Sequence, residues 1–314
     1  MKRKVIQLAG KTLVVSLPSK WAKKYNIRKG DEIELKERGR EIIIKTETES
    51  GVERIQLDTK GINERVIRWA LSGLHKSGYD EIEILYDKPE TINIVQELIK
   101  DLFVGFVIIN QTNAKCLLKS ISKDSETEFD VTLRRAFLVT ITMGENALEL
   151  IKNKELSSLK TLLSLEKTNN QLTNFCERLL NKKGYPDHRK TCFFYVITWN
   201  LEKICDDYKY ICEFLSQPDN KNVVIGKEII NFFWETNNFL KEYYNLFYKL
   251  DMNKLSDLGV KRKELVKKGR ELFKTKTEAE IVVIDALIDL ILKVVDFSAS
   301  TIAINQEQTA SYFD

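Results

Sequence analysis

Residues 12–33 read Thr12-Leu13-Val14-Val15-Ser16-Leu17-Pro18-Ser19-Lys20-Trp21-Ala22-Lys23-Lys24-Tyr25-Asn26-Ile27-Arg28-Lys29-Gly30-Asp31-Glu32-Ile33. A β-branched run stops at a Leu-Pro step, and a short lysine-rich stretch then leads to a Gly-Asp turn and a second apolar run. Proline is tolerated at the start of a helix but not inside a strand, so the order expected is strand, short helix over 18–25, turn, strand. Upstream, residues 5–8 form a matching strand, with Ala9-Gly10-Lys11 as the turn between them. Downstream, residues 32–36 and 41–45 make a second strand pair around Arg38-Gly39. Four strands this short cannot enclose a core of their own, which predicts that two copies share one.

The charge of this segment is one-sided. Residues 1–30 contain nine basic side chains and no Asp or Glu, whereas the other 284 residues carry 41 basic and 46 acidic groups. A basic end on a mildly acidic body calls for an anionic partner, and neutralising phosphates releases counterions whatever the base sequence. The candidates for DNA contact are Lys2, Arg3, Lys4, Lys11, Lys20, Lys23 and Lys24, with Arg28 and Lys29 placed to cap the turn instead. Base edges are read best by Arg, Asn and Gln, and only Arg3 and Gln7 offer that chemistry before residue 25.

The motif carried by Gly10, Val14-Val15-Ser16-Leu17-Pro18, Trp21-Ala22 and Ile27-Arg28-Lys29-Gly30-Asp31-Glu32-Ile33 resembles the AbrB/MazE/SpoVT swapped-hairpin family. The resemblance implies an intertwined homodimer that binds DNA with basic residues of its first hairpin. Some members of that fold serve mainly to dimerise.

Beyond a polar linker at 47–51, residues 52–122 alternate strand and helix: strands at 53–57, 81–86, 104–109 and 115–121, helices at 62–76 and 90–101. That pattern describes a small α/β module. From about residue 130 the apolar period is 3.6, with helices over 130–152, 156–182, 188–215, 226–250, 253–274 and 276–306. Helices this long with short links make antiparallel bundles, and the first and last triplets look like two copies of one unit. The fold expected is multidomain and mainly α: a hairpin β domain at 1–46, the α/β module at 52–122 and tandem three-helix bundles at 130–306.

The helical half resembles the PhoU phosphate-uptake regulators, through Thr132-Leu133-Arg134-Arg135 with Met143, Asn200-Leu201-Glu202-Lys203-Ile204-Cys205-Asp206, and Leu292-Lys293-Val294-Val295-Asp296-Phe297-Ser298-Ala299. An AbrB-like start joined to a PhoU-like body looks like an archaeal arrangement. The resemblance implies a role in phosphate homeostasis, through transcription or through docking on a phosphate transporter or sensor kinase. It also implies a Glu/Asp-x-x-x-Asp metal motif in each bundle, binding iron, zinc or magnesium. Glu202 and Asp206 keep the first copy, about 40° apart on one helical wheel and beside the apolar stripe centred on Leu201. In the second, Leu292 replaces the acid and leaves Asp296. Asp285, Asp289, Lys293 and Asp296 share one side of the sixth helix, which reads either as a carboxylate row facing a cation or as a solvated stripe with an Asp289–Lys293 ion pair.

Five cysteines without a CxxC and only two histidines point to reduced thiols and away from a His-rich zinc site. The charged opening lacks the apolar core of a signal peptide, and no apolar run spans a bilayer, so a cytoplasmic protein is expected. No nucleophile elbow, Walker loop or HExxH is present, and no catalytic residue is assigned.

Overall fold

The computed structural model describes residues 1–38, 40–46, 52–121, 128–274 and 276–305. The expected linker at 47–51, Gly39 of the second hairpin, and residues 122 and 306 at the ends of the expected module and sixth helix lie outside them. The chain divides into two compact units, Met1–Ile55 and Gln56–Asp314.

In the first unit, β1 (Val5–Leu8) pairs antiparallel with β2 (Thr12–Val15), Val5 opposite Val15 and Leu8 opposite Thr12. Ala9 and Gly10 both have positive φ, 49° and 75°, and the Lys11 N–H donates to the Leu8 carbonyl at 3.4 Å. Two successive left-handed residues give the turn a twist matched to that of the strands. Helix α1 (Ser19–Lys24) starts one residue after Pro18, which is extended and offers its carbonyl to the Ala22 N–H at 2.9 Å. Pro18 thus precedes the helix rather than beginning it. Strands β3 (Ile33–Arg38) and β4 (Glu41–Thr46) form a second antiparallel pair.

Strand β5 (Arg54–Asp58) starts in the last two residues of the first unit and continues into the second, in a four-stranded sheet of order β5-β6-β8-β7 with β6 (Glu81–Leu85), β7 (Phe106–Gln111) and β8 (Lys115–Ser120). Strand β8 is antiparallel to both neighbours, with an irregularity between Ile108 and Asn110. Helices α2 (Glu64–Lys76) and α3 (Thr91–Asp101) pack on each other, and the Asn63 side chain caps α2 by accepting from the Val66 N–H at 3.1 Å. Ile67 and Leu71 of α2, Val95 and Leu98 of α3, and Ile82, Ile84 and Leu118 of the sheet are buried.

Six long helices follow: α4 (Glu128–Lys152), α5 (Leu163–Lys183), α6 (Thr191–Leu215), α7 (Lys227–Tyr248), α8 (Met252–Leu272) and α9 (Glu278–Ile304). The expected helix over 156–182 is divided, because Leu156–Leu162 is a 3-10 helix. Its buried residues Leu156, Leu159 and Leu162 recur every third position, a spacing that three residues per turn line up on one face. Helices α4, α5 and α6 pack on one another, as do α7, α8 and α9, while α6 lies along α9 and α4 against α7. One apolar core runs through all six, including Phe137, Leu201, Ile204, Tyr208, Phe232, Tyr243, Leu287, Ile291 and Phe297. Thr277 and Glu280 close a capping box at the start of α9. No helix among the described residues is long and apolar enough to cross a membrane.

Candidate functional site

The basic residues of the first unit stand where an anion can reach them. Lys2, Arg3, Lys4, Lys11, Lys20, Lys23 and Lys24 are all exposed. Lys2, Arg3 and Lys4 precede β1 and Lys11 sits in the turn after it, while the other three project from α1. Arg28 and Lys29 belong to the following turn, where the Asp31 carboxylate accepts from the Arg28 N–H at 2.7 Å. Gln7 is engaged within its own hairpin: its Nε2 donates to the Gly10 carbonyl at 2.8 Å. Of the two side chains suited to base edges, Gln7 is thus used to hold the turn.

Apolar side chains of the same unit lie open. Val5, Ile6, Leu8, Leu13 and Val15 of the first ribbon, and Leu35 and Ile42 of the second, are each more than half exposed. By strand alternation Val5, Leu13 and Val15 lie on one face of the ribbon and Ile6, Leu8 and Val14 on the other.

In the second unit, Glu202 and Asp206 come together on α6, and they meet ammonium groups. Lys203 Nζ donates to Glu202 Oε1 at 3.1 Å and to Asp206 Oδ2 at 3.0 Å. Lys209 Nζ donates to Asp206 Oδ1 at 2.6 Å and to Glu166 Oε1, on α5, at 3.1 Å. Lys76, on α2, places its Nζ 2.6 Å from Glu177 Oε2 and 3.7 Å from Glu202 Oε2. Thr173 adds a hydroxyl to Glu202 at 3.4 Å. Burial works against the charge on Lys209, but its bond to Asp206 and the charges of Asp206 and Glu166 outweigh that and hold its pKa above the ordinary lysine value. Burial raises the Glu177 carboxyl, with Lys76 pulling the other way.

A metal ion needs free carboxylate oxygens. All four oxygens of Glu202 and Asp206 have an ammonium group beside them, so this donor set does not fit a resident metal. Asp296 is exposed on α9. Among the described residues no three His, Cys, Asp or Glu side chains are grouped to hold an ion.

Several residues of this region carry weight that the motif reading did not assign. Arg178, fully buried on α5, donates to the carbonyls of His75 at 3.1 Å and Tyr79 at 2.8 Å and to Asp80 Oδ1 at 3.3 Å, with its guanidinium over the Phe106 ring at 4.9 Å. Lys182 also reaches Asp80. The His75 ring stacks on Phe103 at 4.5 Å, and burial, with the charges of Arg178 and Lys76, lowers its pKa to about 3. Lys293 pairs with Asp207 of α6, across helices, in place of the expected Asp289. The i±3 spacing of Lys203 and Lys209 about Asp206 is visible in the sequence; the approach of Lys76 and Arg178 has no local signal.

Comparison with known proteins bears on the first unit. No curated protein and no solved structure matches the chain. Residues 6–51 match the family described as antidote-toxin recognition MazE, bacterial antitoxin, so the N-terminal segment is an AbrB/MazE-like domain.

Proposed function

We propose that this chain is a cytoplasmic, DNA-binding transcription regulator that dimerises through its N-terminal hairpins. The observation that carries the reading is the nine exposed cations of residues 1–30, with no acidic residue before Asp31, leading into and lying on the AbrB/MazE-like residues 6–51. The open apolar faces of both ribbons favour a second copy as their cover. Phosphate contact by lysines positions a protein without reading sequence. With Gln7 bound to its own turn, Arg3 is the main candidate for a base edge.

The helical half is proposed as a PhoU-like sensing domain acting in phosphate homeostasis. That reading rests on the motif resemblance, and the grouping of α4–α6 and α7–α9 into two packed triplets favours it. The test is binding of the full-length protein to genomic DNA fragments at two salt concentrations, beside a K2A/R3A/K4A/K11A variant. Each phosphate contact contributes about 0.9 to the slope of log K against log salt, so a variant that removes four cations from each chain of a dimer is expected to lose up to about 7 from that slope. The retained fragments should include promoters of phosphate-uptake genes. A folded dimer that binds no DNA at low salt would instead leave the hairpins as a dimerisation device on an adaptor for a transporter or kinase.

A further inference from the structure

The geometry points to Lys76, Lys203 and Lys209 as the resident cations of the α6 carboxylate pair, and to Lys76 as the ionic joint that ties the α/β module to the helices. The Glu/Asp-x-x-x-Asp motif is here filled by the chain itself. Four carboxylates (Glu166, Glu177, Glu202, Asp206) face three ammonium groups, at distances of 2.6–3.7 Å. A divalent ion would have to displace at least one lysine from its carboxylate partners. Such displacement gives up charge-assisted hydrogen bonds that are already made.

Lys76 differs from the other two lysines in where it comes from. It ends α2, whereas Glu177 lies on α5 and Glu202 on α6. The Glu177 side chain is fully buried, and Lys76 lies 2.6 Å from it. The last turn of α2 and the loop after it are gripped by neutral and cationic donors from α5: Asn181 Nδ2 bonds the Lys76 carbonyl at 2.7 Å, and Arg178 bonds the carbonyls of His75 and, beyond the helix, Tyr79. Last-turn carbonyls form the negative end of a helix, so cationic donors there are favourable. Backbone and side chain of one turn are thus held by the bundle, and loss of the Lys76 charge leaves a buried carboxylate to be solvated at this junction.

The experiment uses the full-length protein with two readouts. For metal, the wild type and an E202Q/D206N variant are incubated with zinc or iron(III) salts, desalted and assayed for metal per chain. No stoichiometric metal that depends on these two acids is expected; about one ion or more per chain, lost in the variant, overturns the assignment. For the joint, hydrogen exchange is followed in α2. K76M should speed exchange there about tenfold while α7–α9 keep their rates, and K76R should restore protection. Because K76M strands Glu177, a K76M/E177Q variant is run beside it to remove the buried charge. Faster α2 exchange in that variant supports the joint, and wild-type rates in it refute the role given to Lys76.

Discussion

Lys293 of α9 donates to both carboxylate oxygens of Asp207 on α6, at 2.6 and 2.8 Å, joining the third helices of the two triplets. Burial pushes the Asp207 carboxyl up to about 7, against the pull of Lys293, with Asp289 and Asp206 adding to the rise. A folded-state value above the unfolded 3.8 means that the folded chain keeps this proton longer. The stability it supplies is full below about pH 4 and is lost as pH rises through about 7. Asp207→Asn removes that dependence. Between pH 5 and pH 8 the wild type should lose on the order of 2 kcal/mol more than the variant, read from denaturant midpoints. Parallel profiles would refute the burial account.

His75 works in the opposite direction over part of the same range. Its folded value of about 3 lies below the unfolded 6.5, so its contribution is present above pH 6.5 and is lost as pH falls toward 3. His75 Nδ1 and Nε2 make no hydrogen bond among the described residues, and the ring packs between Phe103 and Phe106. His75→Phe keeps a flat ring in that slot and removes the group that must stay neutral. The variant should resist acid unfolding, by about 1.4 kcal/mol for each pH unit below 6.5. A variant that unfolds at the same pH as the wild type would rule this out.

Helix α4 approaches α6 through Gly144. A Cβ there would lie 2.4 Å from Cζ of the buried Tyr208 ring. The Tyr208 hydroxyl donates to Asn237 Oδ1 at 2.7 Å, and Asn237 Nδ2 donates to the Gly144 carbonyl at 2.8 Å, so α4, α6 and α7 are stitched at one point. Gly144→Ala should destabilise by about 2–3 kcal/mol through overpacking. Gly259, inside α8 with open space where its Cβ would be, should behave oppositely on substitution by Ala, gaining up to about 1 kcal/mol. Equal thermal shifts for the two variants would show that close packing is not what Gly144 provides.

The helical period and the β-branched runs made most elements legible, because both depend on local pattern. The 3-10 segment was not, although Leu156, Leu159 and Leu162 carry its three-residue spacing; a run of leucines suits an α-helix nearly as well over one or two turns. Glu202 stands half-buried beside the apolar stripe of α6, as its wheel position implies, but Asp206, expected to flank that stripe, is itself buried. What holds them was half hidden: Lys203 and Lys209 are three residues to either side of Asp206, whereas Lys76 is 126 residues before Glu202. Lys293 shows how tertiary demand overrides spacing. Asp289 stands one turn away on the same helix, but Asp207 is the more deeply buried acid, and leaving it without a cation would cost more.

The first unit sets the last test. Leu13 is 70% exposed on one face of the β1–β2 ribbon, and Leu35 is 62% exposed on β3. A two-stranded ribbon open on both sides is marginal in water, and each such leucine gains roughly 1.5–3 kcal/mol on full burial. A second copy that covers both faces supplies that burial. Leu13→Glu should therefore shift the full-length protein from dimer to monomer in sedimentation at micromolar concentration. DNA affinity should fall with it, because halving the phosphate contacts of the assembly weakens binding and lowers its salt dependence together. K2A/R3A/K4A/K11A should lose DNA and stay a dimer. A wild type that sediments as a monomer, or a Leu13→Glu chain that remains a dimer, would remove the shared core from the account.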